Sequence, residues 1–442
     1  MLMQIELIAP SSEDSAFLPR LAMGVLAAAT PAMHEVIYTD DVVSPFDLER
    51  DVKPVDLVGI SVDTKNACRG YEIARAYRRR GVKVALGGLH ATAVPEEAAQ
   101  FADSVVVGEA EDLWPELLRD FRQRCLKPVY RGPLPALAGR AFPRRDLFRS
   151  KKYVPFQVLQ TMRGCPYPCE FCSVSTASGT RIRLRPVEEV LAELGSLGRL
   201  VMFADDNVMI HQHHTRELFR RMIPLGKHWI GQCSLGAIRR VSNVELMAKS
   251  GCRALFVGFE SVDAPTLRAV GKEQNDPARY RESVERLHEH GISVWGSFVF
   301  GFDTDDREVF DRTVEFAIEA RLTMASFAML TPYPATRLYE RLKREGRLCD
   351  ERWWLGDHHD ACAPYFVPAR MTREELREGW QKAWQRFYAP GSVWHRWTIH
   401  RRSSWIQTAG FLPLNLMQRR LVKAKILGGA SRFLTDARAD KG

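Results

Sequence analysis

No uninterrupted apolar run in this sequence approaches the roughly 20 residues needed to cross a bilayer, so no segment is expected to span a membrane. The start, MLMQIELIAP, soon meets Ser11, Ser12, Glu13 and Asp14 and lacks the regions of a signal peptide, which makes the cytoplasm the expected location. No internal repeat or low-complexity block is evident. The formal charge of +9 is spread along the chain without an aromatic-basic RNA motif, so nucleic acid is not an expected partner. Disulfides are a poor account of the cysteines, because nine is an odd number and a reducing compartment keeps thiols free. Metal ligation becomes the better question.

The 442 residues, 45% hydrophobic and 26% charged, suffice for two or three cored domains. Short apolar runs at 3–9, 35–39, 56–61, 83–88 and 104–107 alternate with helical or turn segments, among them a helix from Ala67 to Arg80 with Gly81 as its C-cap. An α/β fold follows, beginning with a doubly wound, flavodoxin-like parallel sheet over about residues 1–125. Its ligand would lie beyond the strands' carboxyl ends, at Ser61-Val62-Asp63-Thr64, Gly87-Gly88-Leu89-His90 and Gly108-Glu109-Ala110-Glu111. Those segments read equally as a cofactor cradle or as ordinary loop chemistry.

Residues 126–154, with Pro128, Pro133, Pro135 and Pro143, read as a linker. Six further strand candidates, at 156–161, 199–204, 229–235, 253–259, 292–300 and 324–330, predict a partial (β/α)6 barrel over 155–346 with its active face at the C-terminal strand ends. A helical region, 347–442, completes the chain, and its tryptophans are expected in core. Its tail, His400 to Leu434, is basic and amphipathic. A helix packed on the barrel is the first expectation and peripheral contact with an anionic membrane the second.

The strongest signal is Thr161-Met162-Arg163-Gly164-Cys165-Pro166-Tyr167-Pro168-Cys169-Glu170-Phe171-Cys172, which puts three thiols on one tight loop directly after the first barrel strand. Zinc and ferredoxin-type clusters take four protein ligands, whereas three thiols leave one iron open to a substrate. The rival is a structural site completed by a remote Cys233, Cys252 or His90. Cys68, Cys125, Cys349 and Cys362 read as simple small residues.

The cysteine spacing, the preceding Arg163-Gly164 and the following Phe171 resemble the radical S-adenosylmethionine (SAM) superfamily. Phe203-Ala204-Asp205-Asp206-Asn207, Gly258-Phe259-Glu260-Ser261 and Thr331-Pro332-Tyr333-Pro334-Ala335-Thr336-Arg337-Leu338-Tyr339 resemble its SAM-contacting strand ends. With the N-terminal segments quoted above, the resemblance extends over roughly residues 1–390 and narrows to the subgroup with an N-terminal cobalamin (B12)-binding domain. It implies that Cys165, Cys169 and Cys172 hold a [4Fe-4S] cluster and that Asp205 or Asp206 accepts bonds from the SAM ammonium. Glu260 is implied at a ribose hydroxyl or the amino group, assisted by Ser234 or Gln232, with Leu330 and Tyr333 flanking adenine. Helix caps and strand caps are the rival readings of these residues.

Cobalamin is implied against Ser61, Thr64, Gly87, Gly88, His90, Gly108 and Glu109. The Asp-x-His-x-x-Gly signature that supplies cobalt with a histidine is replaced after the first strand by Pro10-Ser11-Ser12, and His90 also reads as a hydrogen-bonding loop residue. The implied activity is radical SAM catalysis fed by an external electron donor, with cobalamin-dependent methyl transfer to an unactivated carbon of a natural-product or lipid precursor. Radical cyclisation, rearrangement or aminocarboxypropyl transfer is the alternative, and a non-catalytic iron-sulfur sensing module is the third reading.

Overall fold

The computed structural model describes residues 2–12, 18–149, 151–356, 363–400 and 405–428. Its first sheet contains β1 (Gln4–Ala9), β2 (Glu35–Asp40), β3 (Leu57–Ser61), β4 (Lys83–Gly87), β5 (Ser104–Val107) and β6 (Val129–Arg131). All pair in parallel, in the order β2-β1-β3-β4-β5-β6. Successive side chains point to opposite faces, so the near-continuous apolar runs supply two cores. Ile5, Leu7, Ala85 and Val106 enter one, and Ile8, Val58, Val84 and Val105 enter the other. This is the doubly wound arrangement, with its direction of winding changing at β1 and β3.

The segment expected as a linker, 126–154, contains a short strand. Val129–Arg131 extends the sheet as an edge strand, which a three-residue segment after Pro128 shows too little periodicity to announce.

The second sheet contains β7 (Gln157–Leu159), then, after the small antiparallel pair β8 (Met162–Arg163) and β9 (Arg183–Leu184), β10 (Leu200–Phe203), β11 (His228–Cys233), β12 (Cys252–Glu260), β13 (Ser293–Phe300) and β14 (Met324–Met329). The six long-range partners run β14-β13-β12-β11-β10-β7, all parallel and open at both edges. Alternate residues such as Val294, Phe298 and Phe300 are buried against the surrounding helices.

The edge at β14 is covered by the C-terminal helices Arg373–Phe387, Pro390–His400 and Trp405–Gly428. Trp380 and Trp384 both donate to the Phe327 carbonyl, at 2.7 and 2.9 Å, and the Tyr388 hydroxyl donates to Ala325 O at 2.8 Å. Buried Arg396 donates to the Leu322 and Thr323 carbonyls at 2.9 and 3.1 Å. Open edge groups are thus satisfied by side chains rather than by another strand. Trp353 and Trp354 take a different place from the other C-terminal tryptophans, entering a core of the first sheet and binding the two parts together. Among the described residues no helix is long and apolar enough to cross a membrane.

Candidate active site

The cysteine loop leaves the sheet where Asp205 holds the chain. Its Oδ1 accepts from Thr161 N at 2.6 Å and Met162 N at 3.1 Å, and its Oδ2 accepts from the Thr161 hydroxyl at 2.6 Å. Burial raises this carboxyl to about 6, against those donors. All three bonds are internal, so Asp205 fastens the strand end, while its neighbour Asp206 stays exposed and lies electrostatically close to Cys165 and Cys172.

Residues 164–182 form a closed excursion whose neck is the β8–β9 pair, with Arg163 opposite Arg183. Gly164 has φ of 94°, and a Cβ there would lie 2.3 Å from the Arg181 carbonyl oxygen, so the neck closes only on glycine. On the far side Gly271, at φ of 71°, lets the loop approach, since a Cβ would meet Pro168 O at 2.7 Å. Glu170 N donates to Val270 O at 3.3 Å, and the Glu170 carboxylate pairs with Arg341 at 2.8 Å. Within this frame Cys169 is buried and Cys165 and Cys172 are half-buried.

The neck is also tied to the first sheet. Arg163 Nη1 lies 2.6 Å from Glu109 Oε2 and 2.6 Å from Glu111 Oε1, and Arg183 Nη1 lies 2.8 Å from Glu109 Oε2 while its Nη2 engages the other oxygen. Although burial acts to raise Glu109, the two guanidinium groups hold its carboxyl below the usual range. Glu109 was expected at cobalamin, but its carboxylate is committed to joining β5 to the cysteine loop.

Burial pushes all three loop thiols up, Cys169 to about 11, and Lys272 opposes the rise at each. Lys272 sits 2.6 Å from Glu260 Oε1. Its own burial works against its charge, yet Glu260 and Cys169 more than compensate and raise it. A retained cation beside three thiols suits thiolate ligands of a negatively charged cluster. Among the described residues no trio of His, Cys, Asp or Glu is placed for a single metal ion, which a cubane does not need because each thiolate takes a different iron. The remote fourth-ligand candidates point elsewhere. Cys233 and Cys252 are buried and directed at the Ser234 and Ala254 carbonyls, and burial drives Cys233 up to about 12.

Lys272 was missed by sequence reasoning; one lysine in a Gly-Lys-Glu-Gln turn gives no signal for a partner twelve residues earlier. Glu260 itself is unusual, at φ of 64° beside a register shift between β12 and β13. Asn275 donates to the Gly258 and Phe259 carbonyls at 2.8 and 3.1 Å, and the Tyr280 hydroxyl donates to Phe259 O at 3.0 Å. These bonds hold a strained, bulged strand end that re-aims the carboxylate.

Along β13 the residues alternate strictly, one set fully buried against helices and the other, including Trp295, Ser297 and Val299, only half-buried. Ile230, Gln232, Phe256 and Ser326 share that second face, with Phe256 stacked on Trp295 at 4.6 Å and Trp295 Nε1 donating to Ser326 Oγ at 2.7 Å. The inner face is therefore only partly covered, with the Phe256–Trp295 pair as its apolar centre. Gln232 is exposed there, whereas Ser234 exchanges bonds with Asn207, accepting at 2.9 Å and donating its N–H at 3.3 Å. Leu330 is buried with its N–H on Phe300 O, and Tyr333 stands edge-on to Trp353 at 6.1 Å.

At the first sheet's strand ends Gly88 has φ of 99°, and a Cβ would lie 2.6 Å from Val62 O and 2.9 Å from Ser61 Oγ. Gly87 is half-buried beside it, while Gly108, at φ of 91°, faces open space and donates its N–H to Thr92 Oγ1 at 2.9 Å. His90 is fully buried. Its Nδ1 is 3.3 Å from Thr64 Oγ1 and its Nε2 3.1 Å from Glu97 Oε1, and Trp354 Nε1 and Tyr71 OH donate to the same carboxylate at 3.0 Å each. Both ring nitrogens being engaged, His90 and Thr64 brace the strand ends from behind, and His90 has no lone pair left for a metal. What faces outward is mostly backbone and small side chains, with the half-exposed Asp63 among them, which suits a broad, flat cofactor.

Comparison with known proteins agrees with this division. Residues 16–118 match the B12 binding domain, residues 159–317 the radical SAM superfamily and residues 336–409 a domain of unknown function, DUF4070. The bacteriochlorophyllide d C-12(1)-methyltransferase of Chlorobaculum tepidum is 30% identical over 85% of this chain and 83% of its own. The hopanoid C-2 methylase of Rhodopseudomonas palustris is 25% identical over 88% of this chain and 75% of its own. The fold is similar to the radical SAM methyltransferase TsrM of Kitasatospora setae, solved with cobalamin and a [4Fe-4S] cluster, at a TM-score of 0.68 and 16% identity over 95% of this chain and 99% of that one.

Proposed function

The chain belongs to the radical SAM superfamily, in the subgroup with an N-terminal B12-binding domain, and on that premise we propose that it methylates an unactivated carbon of a lipid or natural-product precursor. The observation that carries this reading is the tie between Glu109 and the neck of the cysteine loop, which joins the strand ends of the two sheets. Relatives named for methylating bacteriochlorophyllide and hopanoids support a bulky, largely apolar substrate, as does the apolar inner face around Phe256 and Trp295.

A [4Fe-4S] cluster, SAM and cobalamin, when bound, supply the electron, the radical and the methyl carrier respectively. The residues hold and orient them. Cys165, Cys169 and Cys172 would each ligate one iron of the cluster, which keeps one iron for SAM. Asp206 accepts from the SAM ammonium, since Asp205 is spent on the backbone, and Lys272 and Glu260 form a charged wall beside the cluster. Gln232 is better presented to SAM than Ser234, which positions Asn207, and Tyr333 would flank adenine while Leu330 packs in the core behind it. Ser61, Gly87, Gly88 and Gly108 offer the small surface on which the corrin rests, with Thr64 and His90 holding it in shape.

The test is anaerobic reconstitution followed by incubation with methyl-deuterated SAM, reductant and candidate apolar substrates. The wild type is expected to keep corrinoid through gel filtration, form 5′-deoxyadenosine and transfer the labelled methyl group. Cys169→Ala should lose 5′-deoxyadenosine by more than about a thousandfold. Deoxyadenosine without labelled product across such substrates would move the assignment to cyclisation, rearrangement or another radical outcome.

A further inference from the structure

The C-terminal helix Trp405–Gly428 shows two faces. Phe411, Asn415 and Val422 are buried, and Asn415 joins Arg396 at 3.1 Å, so this side is anchored to the barrel. Leu414, Leu416 and Met417 are 45%, 51% and 51% exposed, and Arg420 and Lys423 are exposed one turn further on. At 3.6 residues per turn, Leu416, Met417 and Arg420 share one outward stripe. Trp394, 61% exposed, projects from the adjoining helix Pro390–His400.

The sequence around this stripe is strongly one-sided in charge. Between Glu378 and Asp436 there is no aspartate or glutamate, while lysine and arginine number ten. Of these, Arg396 is buried and Arg386 pairs with Asp311 and Glu315, whereas Arg420 and Lys423 are exposed beside Leu416 and Met417, a combination that matches a surface offering both hydrocarbon and negative charge. A second copy of the chain would set cation against cation across a two-fold axis, and phosphates alone would give Leu416 and Met417 nothing to bury against.

We infer that this outward face rests on an anionic lipid bilayer, with Leu416 and Met417 inserted at the headgroup boundary and Arg420 and Lys423 on lipid phosphates. The barrel is then held at the surface where an apolar precursor would partition.

Flotation of the full-length protein with vesicles tests this directly, one set of phosphatidylcholine alone and one containing phosphatidylglycerol. Partition into the phosphatidylglycerol vesicles only is expected. Arg420→Gln with Lys423→Gln should weaken it about thirtyfold, at roughly fivefold per basic residue, and Leu416→Ser with Met417→Ser by roughly tenfold or more. Circular dichroism of each variant checks the fold, and the wild-type result stands without them. No flotation with either vesicle, equal flotation with both, or a dimer in light scattering that Leu416→Ser with Met417→Ser dissolves would overturn the inference.

Discussion

The two sets of strand ends meet their ligands by different chemistry. At the first sheet the ionisable groups expected at the ligand are bonded within the protein: His90 to Glu97 and Thr64, Glu109 to Arg163 and Arg183. What remains outward is glycine backbone and small hydroxyls, with the half-exposed Asp63 carboxylate beside them. At the second sheet sulfur and charge are gathered at the strand ends, in three thiols that are buried or half-buried, a largely buried Lys272–Glu260 pair and the exposed Asp206. A large planar cofactor is suited to recognition by shape, and a small zwitterion beside a cluster by placed charges. The lesson is that an acidic or histidine residue at a strand end identifies a ligand only after its protein partners have been counted.

The contrast can be broken at its junction. Arg163→Met leaves Glu109 and Glu111 with one guanidinium between them, and a loss of about 3 kcal/mol in urea unfolding is expected. Next in size, Gly88→Ala forces a Cβ against Val62 O at positive φ. It should cost about 2 kcal/mol and abolish corrinoid retention while 5′-deoxyadenosine formation survives, separating shape recognition from charge recognition. Glu260→Gln keeps the bond to Lys272 but removes the opposing charge. The KM for SAM in 5′-deoxyadenosine formation should rise roughly tenfold, with corrinoid retention unchanged.

The smallest effect on activity is expected at Asp305, whose Oδ2 accepts from Gly301 N at 2.9 Å and Phe302 N at 3.0 Å and whose Oδ1 is buried without a hydrogen bond. Burial raises it to about 7. Because the folded value lies above the unfolded one of 3.8, the folded state holds the proton longer, and stability is greatest on the acid side and falls as pH rises from about 4 to about 7. Asp305→Asn should remove that decline, seen as a smaller difference between denaturation midpoints at pH 5.5 and pH 8.

Much of the fold is legible in the sequence because parallel strands buried on both faces leave runs such as Leu57 to Ile60 that no surface segment would carry. The cysteine loop is legible because its spacing is local. The remainder depends on contacts between distant residues. Glu109 meets arginines 54 and 74 residues away, and nothing around it distinguishes a tether from a ligand. Lys272 is similarly silent, and Trp353 and Trp354 carry the same aromatic signature as Trp380 although they pack on a different sheet. Asp205 and Asp206 are indistinguishable as letters, and only the two amides and one hydroxyl gathered by Asp205 separate them.

The two-rung ladder of β8 and β9 has a consequence for assembly. It makes residues 164–182 a ring whose ends are joined by backbone pairing and not by the cysteines, so the entropy of bringing those ends together is met by hydrogen bonds outside the cluster's own ligands. With Glu109 holding the neck from outside, the ring is also registered to the first sheet. The spacing between the two sets of strand ends is thus a property of side-chain contacts that lie outside both cofactor seats.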